Sequence, residues 1–359
     1  MYGLYVHIPF CRRKCHYCDF VSQTTADEFH ASYLAALSRE MQNYGAQPLS
    51  TAFIGGGTPS ILSVRHIDEL FHHIRQVFNC THLAEITFEA NPESLDDAKL
   101  RVLKKAGVNR LSIGAQSFSD NELSFLGRIH TADDFKRAYN AAQRLGFANC
   151  SIDLIYGLPG QDISSWQNTL KKAAAYAPQH LSLYPLVVEP DTEFARKAVH
   201  VDEDLQAEMY EWSIDFLAGE GYEQYEISNW SKSGYRCSHN FMYWQNGEYI
   251  GLGAAAASHV NDRRWKNTGD IGAYVHAVQS GQSIIAEEET LDGAQRLAED
   301  MILKLRCRAG IVHTPTIDKH YGSKIESLLR DNLLERCGEN LRLTRRGILL
   351  ANQVMREFV

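Results

Sequence analysis

The sequence predicts an α/β protein. It reads as a partial, TIM-like (β/α)6 barrel with added edge strands and a small C-terminal helical, winged-helix-like domain. Three observations carry this. Up to about residue 190, short apolar runs alternate with longer amphipathic stretches at roughly thirty-residue intervals. From Tyr222 to Val260, aromatic residues and glycines crowd around short β-like runs. Beyond residue 290, helical periodicity returns around a single hairpin signal.

The strand candidates are 4–8, 51–54, 85–89, 110–114, 151–156 and 180–185. Helical patterns at 28–44, 64–78, 95–106, 132–145 and 164–176 separate them. Ser94 opens one helical stretch, with Asp96 and Asp97 in its first turn, and Ser164 opens another just before Trp166. Strand and helix in alternation imply a parallel sheet with right-handed crossovers. Six units fall short of the eight that close a full barrel, so a partial barrel is expected, with a doubly wound sheet as the competing arrangement. Another amphipathic helix spans 203–219. The β-like runs after it are expected as strands at the open edge, and 281–289 as a polar junction. Helices at 293–305, 314–321 and 325–332 then precede a strand pair, 334–337 and 341–344, that turns at Gly338, Glu339 and Asn340. A last helix is expected at 345–358. The expected domains are 1–220, 221–289 and 290–359.

With 359 residues, 44% hydrophobic and 22% charged, the chain is globular rather than disordered. No apolar run reaches the ~18 residues of a membrane span. His7, Pro9, Arg12, Arg13 and Lys14 occupy the stretch where a signal peptide needs apolar residues. A cytoplasmic protein is expected, and its eight cysteines are then no disulfide framework. The net charge of −8 argues against bulk binding to nucleic acid or anionic lipid. The segment from Thr290 onward differs, with 12 Lys and Arg against 9 Asp and Glu.

Cys11, Cys15 and Cys18 follow C-x3-C-x2-C spacing directly after the first strand. Three thiolates so close cannot share one side of a regular strand, but a loop curled around a compact inorganic cluster presents them together. Three ligands on a four-iron cluster leave one iron open, whereas structural clusters use four. An open iron can chelate the amino and carboxylate groups of S-adenosylmethionine, while the cluster supplies an electron to the sulfonium. A zinc site completed by His7, His16 or Asp19 is the other reading of the same thiols.

The chain resembles a radical S-adenosylmethionine protein. More narrowly, it resembles the group that unites oxygen-independent coproporphyrinogen oxidases with the haem chaperones of the HemW family. The segments YVHIPFCRRKCHYCDF, GGGTPS, FEANPES, NRLSIGAQSF, LGRIHT, DLIYGLPGQ and HNFMYW carry the likeness, which spans almost the whole chain. It implies a [4Fe-4S] cluster on the three cysteines, with S-adenosylmethionine bound beside it. The polar residues and glycines of these segments fall at the C-terminal ends of the expected strands, where a parallel barrel places its site. Gly55, Gly56, Gly57 and Thr58 follow the second strand, either approaching the methionine amino group or simply turning the chain before Pro59. Glu89, Gln116 and Asp153 lie on the third, fourth and fifth strands, and Arg128 lies in the loop beyond Gln116. Together they suit ribose hydroxyls, an ammonium and, for Arg128, a carboxylate held bidentately. By resemblance Tyr5 meets the ligand and Tyr17 lies against the adenine; the alternative for both is aromatic core.

Two departures point away from the oxidase. The oxidases continue Cys-Gly-Cys after the third ligand, whereas here the text is Cys18-Asp19-Phe20. They also carry a long N-terminal arm, and the first strand here begins almost at Met1. Conversion of coproporphyrinogen is therefore not expected. The segment Ser238–Trp244 resembles the HNxxYW motif of the chaperones and implies haem on His239, with Cys237 as rival ligand. The alternative is an imidazole satisfied inside an aromatic edge. No C-x-x-C-H is present, so no thioether attachment is expected. The chaperone pattern G-x-G-A-G-A-H-S is broken at Ala255 and Ala257, with His259 nearby. The implied partners are haem, an electron donor and a haem-accepting protein, which a membrane could hold during a transient encounter. A DNA-binding regulator using Arg342, Arg345 and Arg346 is the reading from a different class, and a +3 tail serves it poorly.

Overall fold

The computed structural model describes residues 1–24 and 27–359. Six parallel strands form its centre: β1 (Tyr2–Ile8), β2 (Leu49–Gly56), β3 (Glu85–Ala90), β4 (Arg110–Gln116), β5 (Cys150–Tyr156) and β6 (His180–Pro185), paired in sequence order. Helices Asp27–Met41, Val64–Val77, Asp97–Lys105, Ala132–Arg144 and Ile163–Ala175 connect them. This is the expected partial barrel. Among the described residues the sheet is open and twelve-stranded.

The strands alternate in character. Leu4, Val6, Ile8, Ile86, Phe88, Leu111, Ile113, Ile152, Leu154, Leu181 and Leu183 are buried in the main apolar core. The residues between them, such as Thr51, Glu85, Glu89, Arg110, Ser112, Asp153, His180 and Ser182, are mostly polar. Successive strand residues point to opposite faces. One face therefore packs on the helices by apolar burial, and the other lines a polar interior.

The helix starts differ from the expectation. Asp96, not Ser94, caps Asp97–Lys105 by accepting from the Lys99 N–H at 2.8 Å. Asp162, not Ser164, caps Ile163–Ala175 through the Ser165 N–H at 2.7 Å. In both cases the carboxylate two residues away is the N-cap.

The strands after residue 220 join both edges of the sheet, not one. β7 (Glu223–Glu226) and β8 (Asn229–Ser231) extend it antiparallel beyond β6. β9 (Tyr249–Leu252) runs parallel beside β1, followed by β10 (Ala257–Val260), β11 (Arg263–Asn267) and β12 (Ile285–Thr290). Residues 285–289, expected as part of a junction, thus belong to an edge strand that ends at Thr290. Its Glu287 and Glu288 meet Lys266 and Arg263 of β11, pairs that polar composition alone does not announce.

Between the two additions lies a helix, Ser238–Trp244, where β-like structure was expected. The C-terminal unit holds the helix Gly293–Leu305, then β13 (Ile311–Val312), β14 (Leu334–Cys337) and β15 (Asn340–Leu343), ordered β13-β15-β14. The two helices expected at 314–332 are one, Pro315–Arg330. The last helix breaks at Leu350 into Arg345–Leu349 and Ala351–Arg356. Arg342 pairs with Glu335 at 2.7 Å and Arg345 with Asp215 at 2.7 Å. Two cations of the supposed DNA-binding wing are therefore engaged within the chain. Among the described residues no helix is long and apolar enough to cross a membrane.

Candidate cofactor site

β1 ends at Ile8, and the cysteine loop begins two residues later. Its ends are tied together: the Cys11 N–H donates to Gln23 O at 3.0 Å, and the Gln23 N–H donates to Pro9 O at 2.8 Å. Its middle is pinned to loops beyond β4 and β6. The His16 N–H donates to Leu126 O at 3.0 Å, and His16 O accepts from the Phe194 N–H at 2.9 Å. These bonds curl the loop so that Cys11, Cys15 and Cys18 line one cavity of about 400 Å3. Gly56, Gly57, Thr58, Glu89, Gln116, Arg128, Asp153 and Tyr17 line the same cavity. Eleven of the thirteen predicted site residues meet there.

Tyr5 is not on the cavity wall; its hydroxyl bonds to His7 Nδ1 at 3.0 Å, close to Glu89. His239 is not at this end of the barrel at all.

The glycines after β2 are required by space. Gly56 has φ +109°, and a Cβ there would stand 2.6 Å from His7 Nδ1. A Cβ on Gly57 would stand 2.7 Å from Phe10 O. The Gly57 and Thr58 N–H groups donate to Ile8 O and Phe10 O at 2.9 and 2.8 Å, locking this turn to the chain entering the cysteine loop. The turn and the open approach to the cavity are therefore both present.

Arg128 organises the opposite wall. Its Nη2 donates to Asn91 Oδ1 at 2.7 Å and to Gly114 O at 2.9 Å, and its Nη1 reaches Cys15 Sγ at 3.6 Å. Asn91 Nδ2 in turn donates to Thr58 Oγ1 at 3.1 Å, which lies 3.4 Å from Cys11 Sγ. Gln116 closes β4 with φ +64°, at a bulge in the β4–β5 pairing. A left-handed non-glycine residue beside a cavity is held there by its surroundings.

The electrostatics favour a cationic guest. Burial, with Asp153 nearby, pushes Glu89 up to about 8, although the Gly56 N–H donates to it at 3.2 Å. Burial also raises Asp153 against hydroxyl donors that include Ser112 and Ser151. Two carboxyls in one cavity resist joint ionisation until a positive charge arrives between them. Burial raises the thiols of Cys11 and Cys18, the latter to about 11. Deprotonation there awaits a metal centre, which draws thiol protons off on binding. The donor set therefore fits a cluster with three thiolate ligands and an amino-acid-bearing cation beside it.

Sequence reasoning passed over Asn91, Ser112 and Tyr184, which also line the cavity. The alternation along each strand was the available signal. It sets Ser112 on the face of Gly114 and Gln116, and Tyr184 on the face of Ser182, which pairs with Asp153.

The segment Ser238–Trp244 lies at the other end, against the starts of the parallel strands. Glu85, the first residue of β3, accepts from the Ser238 and His239 N–H groups at 2.9 and 3.0 Å. His239 is 0% exposed. Its Nδ1 bonds to Thr51 Oγ1 and its Nε2 to Tyr243 Oη, each at 2.8 Å, and its ring stacks on Phe53. Both ring nitrogens are occupied, so this arrangement offers iron no coordination position at His239. Cys237 is equally buried, 3.6 Å from Glu85 Oε1. Among the pattern departures, Ala255 has φ +59°, the conformation that a glycine there would suit. Ala257 is exposed at the start of β10, and His259 is buried against Tyr249.

Residues 5–173 match the Radical SAM superfamily, and residues 291–350 match the HemN C-terminal domain. A relative from Lactococcus lactis named heme chaperone HemW is 35% identical over 99% of this chain and 96% of its own length. The Bacillus subtilis protein of that name is 35% identical over 100% and 99%. The Escherichia coli protein is 41% identical over 72% and 70%. The fold is that of coproporphyrinogen III oxidase HemN from Escherichia coli, with a TM-score of 0.87 at 24% identity, covering 99% of this chain and 89% of that one.

Proposed function

The chain belongs to the HemW family of radical S-adenosylmethionine proteins, and from that premise we propose that it is a haem chaperone carrying an S-adenosylmethionine-ligated [4Fe-4S] cluster. The observation that carries the cofactor reading is the single cavity in which Cys11, Cys15 and Cys18 meet Glu89, Arg128 and Asp153. Haem binding and delivery rest on the names of the relatives.

Cys11, Cys15 and Cys18 are the residues to hold the cluster, and Thr58 and Arg128 reach Cys11 and Cys15 from the wall. When bound, the pair of cofactors supplies one-electron chemistry at the sulfonium. Arg128 already spends Nη2 on Asn91 and Gly114, which fixes its plane before a carboxylate arrives. Glu89 and Asp153 accept from an ammonium and from ribose hydroxyls. Tyr17, Tyr184 and the start of the loop after β6 line the same cavity. An electron donor and a haem-accepting protein complete the reading, with the protein acting in the cytoplasm. We derive no haem step through His239, because both of its nitrogens are bonded.

The shared fold does not choose between chaperone and oxidase, since the structural neighbour is an oxidase. The text Cys18-Asp19-Phe20 favours the chaperone. Anaerobic reconstitution followed by haem titration and transfer to a haem-free acceptor protein tests the proposal. Stoichiometric haem binding and transfer are expected, without protoporphyrinogen IX from coproporphyrinogen III. Multiple turnovers of that oxidation, or no haem uptake, would overturn it. Haem affinity lost in a folded His239→Ala variant would show that the base opens to expose the imidazole. Unchanged affinity would place haem elsewhere on the chain.

A further inference from the structure

Below the cofactor cavity, a row of buried hydrogen bonds fixes where its own protons sit. The Cys237 N–H donates to Tyr225 Oη at 3.4 Å. The Asp153 carboxylate can only accept, so Ser151 gives it its hydrogen, the Ser151 oxygen accepts from His180 Nδ1, and the Tyr225 hydroxyl gives its hydrogen to His180 Nε2, 2.8 Å away. His180 must then carry its proton on Nδ1, which donates to Ser151 Oγ at 2.8 Å. Ser151 passes its hydrogen to Asp153 Oδ1 at 2.9 Å. Asp153 Oδ2 accepts separately from Ser112 at 2.9 Å. His180 and Ser151 are 0% exposed. Burial and the nearby Arg110 guanidinium push the imidazole well below its ordinary value, so it stays neutral.

We propose that His180 is a positioning residue for the cofactor: its Nδ1–H tautomer, matched by the Tyr225 hydroxyl at Nε2, turns the Ser151 hydroxyl onto Asp153 and holds that carboxylate as an acceptor at the cavity wall. The inference rests on the reading of the cavity as an S-adenosylmethionine site in which Asp153 touches the ligand. Without the Tyr225 hydroxyl, the other tautomer becomes available. Nδ1 would then accept the Ser151 hydrogen and take it away from Asp153. A donor to the charged form holds a carboxyl's pKa down. Losing it raises the Asp153 pKa and moves the acid limb of cofactor binding to higher pH. The groups that face Asp153 are Glu89 from β3, Arg110 and Ser112 from β4, and Ser182 and Tyr184 from β6. The variants below leave all of these in place.

Equilibrium binding of S-adenosylmethionine to the anaerobically reconstituted full chain, measured across pH, is the test. Tyr225→Phe and Ser151→Ala should each weaken binding about 3- to 10-fold on the acid side and shift that limb upward. Ser151→Thr keeps the hydroxyl and should keep the limb. The double variant Tyr225→Phe/Ser151→Ala should bind as Ser151→Ala does, because both break one row. An unmoved limb in folded Ser151→Ala, or additive losses in the double variant, overturns the inference. Full affinity in Asp153→Ala would instead overturn the ligand role of Asp153, and the inference with it.

Discussion

Arg128 holds a guanidinium nitrogen 3.6 Å from the sulfur of Cys15, joining the loop after β4 to the cysteine loop after β1. The contact links the group that would hold the cluster to the group that would hold its ligand. Because only the cysteine would ligate iron, the two functions should nonetheless separate under mutation. In Cys15→Ala, anaerobic iron and sulfide counting should show loss of the cluster. In Arg128→Ala, iron should be retained while S-adenosylmethionine binding weakens by about 2–5 kcal/mol, as for removal of one partner from a buried charged site. Full iron content in the cysteine variant would sink the cluster assignment.

Glu89→Gln should change how stability depends on pH in the cofactor-free protein. The folded-state pKa of Glu89 is raised to about 8, so the folded protein binds that proton more tightly than the unfolded chain does. A raised carboxyl costs stability as pH climbs from the ordinary carboxylate range through the folded value. The glutamine has no such cost. The melting temperature of the variant relative to the unmodified protein should therefore rise between pH 5 and pH 9. Parallel curves would show that Glu89 ionises freely.

Ala255→Gly should stabilise the protein. An L-residue in the left-handed region is strained by about 1–2 kcal/mol, and glycine is not. Part of that gain returns as backbone entropy in the unfolded chain, leaving about 1 kcal/mol or less. Urea unfolding would register the shift in midpoint, and a lower midpoint would contradict the strain.

His239→Ala should destabilise the fold by about 2–4 kcal/mol, through the cavity it leaves and the stranded Thr51 and Tyr243 hydroxyls. Tyr243→Phe breaks only one of those bonds and should cost about 1 kcal/mol. Chemical denaturation of both variants measures the difference. Equal, negligible costs would mean that the base is loosely held.

Much of the barrel and its site was legible because strand periodicity and cysteine spacing are local signals. Cys11, Cys15 and Cys18 stand within eight residues, Glu89 and Gln116 sit near strand ends, and Asp153 lies within the fifth strand. The helix Ser238–Trp244 was not legible. Phe241, Tyr243 and Trp244 favour strands by composition, and bonds from Glu85, about 150 residues away, hold the helix start. The division of residues 221–290 between two sheet edges is likewise decided by pairing partners far off in the chain. Asn91 and Tyr184 were missed because their roles come from neighbours across the cavity rather than from their own surroundings in sequence.

The base of the barrel is stoppered from within. Met242 presses so closely on Gly3 that a Cβ there would collide with it, and His239 behind it is sealed from solvent. With that end filled among the described residues, a guest that enters past the cysteine loop meets an order of traffic. Whatever rests deepest must load first and leave last, and a guest seated nearer the mouth becomes its lid. Under the proposed function, the residence time of the cofactor would then follow the occupancy of the entrance as well as any contact with Arg128 and Asp153.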